Sequence, residues 1–300
     1  MATVYREVDV PSQQGKTALV TGANTGIGFH TARVLAARGA RVLLGCRDES
    51  RAAEAIAAIQ SKLPDADLAW LPLDLASLSS IEKAAGQVQQ TESHLDLLIN
   101  NAGVMVPPKT LTEDGFELQF GVNHLGHFAL TGHLLPMLKA RADARIVNIS
   151  SLAHRGAAID FDDIHAERKY SRMKRYQMSK FANMLFTFGL QQRLEASGAS
   201  ALAVAAHPGG SNTELGRHIG LMRFLFLPLE WIMNSAAEGA LPSLRAATDP
   251  DAKGGDYYGP TGMGEFARSA GIAKVDPAAR DLEAINQLWG ISEALTNVSI

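Results

Sequence analysis

Tyr176 and Lys180 stand four residues apart at the head of an apolar-periodic stretch that continues through Phe181, Met184, Leu185 and Phe188. On a helix, that spacing puts a phenol and an ammonium on one face. A free phenol gives up its proton at about pH 10, too high for exchange at neutrality, and a neighbouring positive charge brings that value down. Such a phenol can act as general acid toward a carbonyl oxygen and as general base toward an alcohol. Ser151 follows the apolar run Arg145–Ile149 and can donate to the same oxygen as charge develops on it, with Ser150 as the adjoining choice. A second Tyr-x-x-x-Lys, Tyr170 to Lys174, lies six residues upstream in a polar stretch. Only Tyr176 leads directly into the apolar helix.

A second group of residues has the types needed to hold a dinucleotide. Gly22, Asn24, Thr25, Gly26, Ile27 and Gly28 lie between a short apolar run and a helical pattern. Glycines there let the backbone turn tightly and approach a pyrophosphate, whose charge the helix N-terminus holds. The next apolar run ends in Gly45-Cys46-Arg47-Asp48. NAD-binding chains usually place a carboxylate there for the ribose hydroxyls. Here Cys46 takes that place and Arg47 offers a guanidinium suited to a 2′-phosphate, so NADP(H) is the expected cofactor. Asp48 suits the cap of the next helix, and Arg51 is a further phosphate candidate. His124, His127 and His133 share a helical stretch with no carboxylate or cysteine nearby, so they read as structural and no metal is expected. His154 and His207 fall close to the same cleft.

These residues need a scaffold that gathers chain ends, and the pattern of elements supplies one. Short apolar runs at Thr17–Thr21, Arg41–Gly45, Leu68–Leu73, Leu95–Ile99, Arg145–Ile149 and Ala201–Ala206 alternate with helical segments at Ile27–Arg38, Asp48–Lys62, Asn123–Lys139 and Tyr176–Ala196. Repeated βα units of this kind build a parallel sheet. The expected fold is α/β: a single doubly wound (Rossmann) domain, mostly parallel sheet flanked by helices, with a C-terminal substrate-lid region. Residues 1–13 read as an N-terminal extension and 14–300 as the domain, with an insertion loop at about 152–175 and an apolar segment at about 212–235.

Composition narrows the function classes. Of 300 residues, 46% are hydrophobic and 20% charged, which fits a packed globular chain rather than a disordered or fibrous one. A net charge of −3 leaves no basic excess for nucleic acid. One cysteine excludes an internal disulfide. With no apolar signal-type stretch at the N-terminus, a cytoplasmic location is expected. The longest apolar stretch, Ile219 to Asn234, is interrupted by Arg223, Pro228 and Glu230 and falls short of the about 20 apolar residues a bilayer span needs. Within it, eleven of the thirteen residues Leu221 to Met233 are apolar or proline, so something covers them. Three readings stay open: a helix buried on the core or on a second copy in a homo-oligomer, a lid over an apolar substrate, or a shallow peripheral membrane contact.

Further motifs fall at strand ends and helix starts in a fixed order: Asp74-Leu75, Asn100-Asn101-Ala102-Gly103, Asn123, Asn148-Ile-Ser-Ser151, Tyr176-Gln-Met-Ser-Lys180, and Pro208-Gly209 followed by Thr213. Together they resemble the short-chain dehydrogenase/reductase superfamily over about residues 14 to 290. Gly45-Cys-Arg-Asp48, Ser150-Ser-Leu-Ala-His154 and Gly255-Asp-Tyr-Tyr-Gly-Pro260 look most like its retinol-dehydrogenase-like branch. The resemblance implies hydride transfer between NADP(H) and a small lipophilic ketone, aldehyde or alcohol. It implies that Asn123 holds a relay water for Lys180 and that Lys180 also holds the nicotinamide ribose. Asn101, Ala102 and Gly103 would line the cofactor cleft, Asp74 and Leu75 would meet the adenine, and Pro208, Gly209 and Thr213 would meet the carboxamide. The rival readings are a non-catalytic NADP sensor or scaffold and an NADP-dependent epimerase or dehydratase. The 25 residues from Ser151 to Tyr176 exceed the family's usual dozen or so, which fits an insertion over the site.

Overall fold

The computed structural model describes residues 5–210 and 234–300. Among these described residues, eight strands form one sheet: β1 (Thr17–Thr21), β2 (Arg41–Cys46), β3 (Leu68–Pro72), β4 (Leu97–Asn100), β5 (Arg145–Ile149), β6 (Leu202–Ala206), β7 (Tyr257–Gly262) and β8 (Ala267–Ile272). Their order across the sheet is β3-β2-β1-β4-β5-β6-β7-β8. Every neighbouring pair is parallel except β7 and β8, which form an antiparallel edge hairpin. The order reverses between β1 and β4, leaving a crevice at their carboxyl ends, where ligands of doubly wound sheets bind.

Among the described residues, eight α-helices accompany the strands: α1 (Gly26–Ala37), α2 (Glu49–Gln60), α3 (Leu78–Thr91), the single turn α4 (Leu118–Phe120), α5 (Gly126–Lys139), α6 (Arg172–Ala196), α7 (Ala236–Thr248) and α8 (Leu282–Thr296). Strand side chains alternate between the two faces. Ala18, Val20, Val42, Leu44, Leu97 and Ile99 pack into the core under α1, α2 and α7, while Leu19, Leu43 and Leu98 pack into that under α3, α5 and α6. Both faces are covered, which is why these strands read as continuous apolar runs rather than alternating ones. A third cluster joins Phe116, Phe120 and Leu125 to Phe181 and Leu185 of α6 and to Ile285 and Leu288 of α8.

The structure modifies the sequence reading in four places. The stretch expected as one helix from Asn123 opens as a π-turn over Gly121–Leu125, in which the Gly126 N–H returns to the Gly121 carbonyl. Helix α6 starts at Arg172, four residues before Tyr176, because buried Arg175 pairs with Asp163 at 3.0 Å and fastens the first turn. The stretch from 152 to that helix holds two short 3-10 turns, Leu152–His154 and Phe161–Asp163. Elements α3, α7, β7, β8 and α8 were not anticipated from the sequence. The apolar segment Leu221 to Met233 lies outside the described residues, as does Thr213. Among the described residues, no helix is long and apolar enough to cross a membrane.

Candidate active site

The glycine segment closes tightly on the end of β4. Gly22 and Gly26 take φ values of +66° and +58°, the left-handed region glycine enters without penalty. A Cβ at Gly28 would collide with the Gly22 carbonyl oxygen and the Asn101 side chain. Thr25 takes the extended conformation before the first turn of α1, and its carbonyl accepts the Phe29 N–H. Ala23 and Ile27 are buried, so Asn24, Thr25 and the glycine backbone border the crevice.

Thr21 ties this segment to its neighbours. Its hydroxyl oxygen accepts the N–H groups of Asn101 and Ala102, each at 2.9 Å, and the Asn101 amide donates back to the Thr21 carbonyl at 2.7 Å. The Thr21 hydroxyl also lies 2.9 Å from His127 Nε2 and 3.3 Å from the Ile99 carbonyl, while His127 Nδ1 donates to the Asn123 carbonyl at 3.1 Å. Burial lowers the His127 pKa to about 4, so the imidazole is neutral, as this arrangement requires. Hydrogen-bonded through both ring nitrogens, His127 is the strut between the glycine segment and the π-turn. Nothing in the sequence distinguished it from His124, which meets Ser292 at 2.8 Å inside an aromatic cluster.

Asn123 sits in the π-turn with its side chain spent on the backbone beside Gly103. Its Oδ1 accepts the Val104 N–H at 2.8 Å, and its Nδ2 donates to the Val104 carbonyl at 3.0 Å and to Ser179 Oγ at 2.9 Å. A Cβ on Gly103 would lie 3.2 Å from Asn123 Oδ1 and 3.5 Å from Lys180 Nζ. Gly103, Asn123 and Lys180 therefore adjoin.

Lys180 Nζ donates to the Ile149 carbonyl at 3.0 Å and stands 5.8 Å from the centre of the Tyr176 ring. The Ser151 side chain interacts with the Tyr176 phenol. Ser150 is fully buried and donates to the Lys180 carbonyl at 2.8 Å, which removes it as the alternative to Ser151. Tyr170 lies ahead of α6, donates its hydroxyl to the Pro107 carbonyl at 2.9 Å, and is followed by an exposed Lys174. The structure thus brings together Asn123, Ser151, Tyr176 and Lys180, and leaves the second tyrosine–lysine pair apart.

One sequence expectation needs correction for the protein alone. Burial raises the Tyr176 pKa, partly offset by Ser151, and the same burial lowers Lys180 from 10.5 to about 8. Desolvation disfavours both charged forms, so the lysine does not by itself bring the phenol down.

On the other flank, Arg47 is exposed at the end of β2 and stands 4.0 Å from the Asp74 carboxylate. Asp74 holds the Ala76 N–H at 2.9 Å, and Leu75 is buried beneath it. Asp48 caps α2 by accepting the Arg51 N–H at 3.0 Å. Cys46 is buried, and desolvation pushes its thiol up to about 11. After β6, buried His207 accepts the Gly209 N–H at 3.2 Å, and Gly209 has φ +70° with Phe266 and Pro260 pressed against it. Asn234 fixes the same loop, donating to the Pro208 carbonyl at 3.3 Å. His154 donates to the Ser151 carbonyl at 2.6 Å and accepts the Asp276 N–H at 3.3 Å, so it braces the serine turn. No group of three or more potential metal ligands occurs among the described residues.

A doubly wound sheet with a glycine crevice and a Ser–Tyr–Lys–Asn cluster at its carboxyl edge defines a dinucleotide-dependent enzyme scaffold. The chain belongs to the short-chain dehydrogenase family, whose model matches residues 16–223. It is 43% identical to retinol dehydrogenase 14 of Mus musculus over 300 residues, covering 95% of this chain and 86% of that protein. It is 44% identical to retinol dehydrogenase 13 of Homo sapiens over 293 residues, covering 95% and 85%. These likenesses place it in the retinol-dehydrogenase-like branch. A crystal structure of an uncharacterised Mycobacterium paratuberculosis protein superposes with a TM-score of 0.83 at 37% identity, covering 99% of both chains. The Pseudomonas aeruginosa RhlG/NADP complex superposes at 0.64 with 26% identity, covering 82% of this chain and 94% of that one.

Proposed function

We propose that this oxidoreductase uses NADP(H) to interconvert small lipophilic ketones or aldehydes and their alcohols, with Tyr176 as the proton donor and acceptor. The observation that carries the reading is the convergence of Ser151, Tyr176, Lys180 and Asn123 beside the glycine crevice. The cradle fits a dinucleotide: a Cβ at Gly22 or Gly28 would crowd Ala102, Asn101 or the Gly22 carbonyl, and Gly26 takes a positive φ. NADP(H), when bound, supplies or accepts the hydride. Gly22, Asn24, Thr25, Gly26, Ile27 and Gly28 would hold its pyrophosphate, Asp74 and Leu75 its adenine, and Asn101, Ala102 and Gly103 its inner ribose side. Pro208 and Gly209, with Thr213 beyond the described residues, would hold the carboxamide.

Each catalytic side chain has a distinct task. Ser151 donates to the substrate oxygen, where negative charge grows during reduction. Tyr176 gives that oxygen its proton, and takes it back during oxidation. Lys180 holds a positive charge beside the phenol, and Asn123 keeps the adjoining backbone fixed. The arginine at 47, with no carboxylate at 46, supports a 2′-phosphate. A lipophilic substrate is supported by the relatives named for retinol and by the apolar composition of Leu221 to Met233.

The test is cofactor consumption with NADPH and with NADH against a panel of ketones, aldehydes, sterols and retinoids. Turnover of lipophilic carbonyls with NADPH preferred is the expected result. Equal or better kcat/KM with NADH defeats the cofactor assignment, and absence of any turnover defeats the enzyme reading.

A further inference from the structure

Among the described residues, Val106 is the only β-branched one with positive φ, at +48°. That conformation is costly for a branched side chain and persists only where its surroundings impose it. Val106 is buried, yet it belongs to none of the three apolar clusters. Core packing therefore does not account for it.

The surroundings that impose it are specific. Gln119, itself fully buried, accepts the Val106 N–H on Oε1 at 2.9 Å. Its Nε2 donates to the Arg172 carbonyl at 3.0 Å, one helical turn before Tyr176, and meets the Tyr170 hydroxyl at 3.4 Å. Tyr170 in turn donates to the Pro107 carbonyl. On the other side, Asn123 grips both backbone groups of Val104. Residues 104–107 thus run from the Gly103–Lys180 contact to the loop ahead of α6, pinned by side chains from the π-turn region and from the approach to the catalytic helix. Met105, between two pinned residues, stays partly exposed.

We propose that this strained turn, fastened by Gln119, is the wall that sets which carbonyl substrates the cleft accepts. Val106 is the specificity-determining residue and Gln119 the positioning residue that acts through it. The proposal rests on the oxidoreductase reading above.

The experiment uses the full chain with an aldehyde series from butanal to dodecanal, measuring kcat, KM, the Kd for NADPH and Tm. Glycine adopts φ +48° freely, so Val106→Gly is expected to keep or raise Tm and to leave the NADPH Kd within about twofold. It is expected to change the ratio of kcat/KM for long and short aldehydes by about tenfold. Gln119→Leu should move that ratio in the same direction. Added to Val106→Gly it should move it no further, because a glycine turn needs no clamp. A ratio unchanged in Val106→Gly overturns the proposal, and so do two variants whose effects multiply independently. If Gln119→Leu does not fold, Val106→Gly alone decides. No turnover of any aldehyde by the unaltered protein overturns both the wall and the oxidoreductase reading, whereas turnover with an unchanged ratio overturns the wall alone.

Discussion

Changing Tyr176 to phenylalanine deletes one oxygen atom, the one that interacts with Ser151. Turnover is expected to fall by about 10³-fold or more while NADPH still binds, because only the proton donor is removed. Tyr170→Phe should keep substantial activity, since that hydroxyl is occupied by the Pro107 carbonyl; a reversal of the two results, read by steady-state kinetics and cofactor titration, would sink the assignment. Lys180 makes a second test. Its pKa is about 8 in the folded protein against 10.5 for the free side chain, so the unfolded chain binds the extra proton between those values. Stability therefore rises with pH across that window, by up to about 3 kcal/mol, as the buried ammonium is neutralised. Denaturant melts of the protein and of Lys180→Met from pH 7 to 11 should differ in slope there, and parallel curves would refute it. The same deprotonation should make kcat/KM for reduction fall above about pH 8. At position 47, Arg47→Ala is expected to weaken NADPH binding by about 1–3 kcal/mol and leave NADH binding nearly untouched. Calorimetric titration with both cofactors checks this.

Between β1 and α1, chemistry depends on what is absent from a side chain. Gly28→Ala should raise the Kd for NADPH by about tenfold or more, because the new methyl meets Gly22 and Asn101 where the crevice must stay open. Unchanged cofactor affinity in that variant would remove the glycine cradle from the site. The same junction shows what the sequence made legible. Strands β1, β2, β4 and β5 were visible because both sheet faces are buried, so each reads as an unbroken apolar run bounded by polar or glycine residues. The candidate catalytic residues stood out because their order along the chain matches strand ends. Helix α3 was missed because its apolar positions, Ile81, Ala84, Ala85 and Val88, form a narrow stripe among polar residues. The hairpin of β7 and β8 was missed because glycine and proline at 259, 260 and 262 suggest a loop, whereas β7 beyond Tyr258 is paired on one side only, by β8, and tolerates them. No local pattern announces the π-turn at Asn123, which is set by the tertiary grip of Val104, Ser179 and His127. Nor does spacing alone reveal burial, which raises the Tyr176 pKa and lowers that of Lys180.

Across the molecule, α8 and the final residues lie over α5 and α6. Trp289 packs on Phe128 and Phe186 with the Arg193 guanidinium 3.7 Å from the centre of its ring, and Val298 and Ile300 press against Gly132. A chain ended at Arg280 would uncover that surface, and it is expected to aggregate or associate in light scattering while the full chain does not. A monodisperse, fully folded truncation would show the cover to be dispensable. The strand order has a related consequence for the chain during its synthesis. After β3 completes one edge, β4 joins the opposite edge beside β1, and β5, β6, β7 and β8 then each join beside the strand made just before. The sheet can therefore be laid down in the direction of translation without displacing any strand already in place. The cofactor crevice exists once β4 has docked, but Tyr176, the brace at Asp276 and the cover of α8 arrive progressively later. A nascent chain would acquire the ability to bind before it acquires the ability to react.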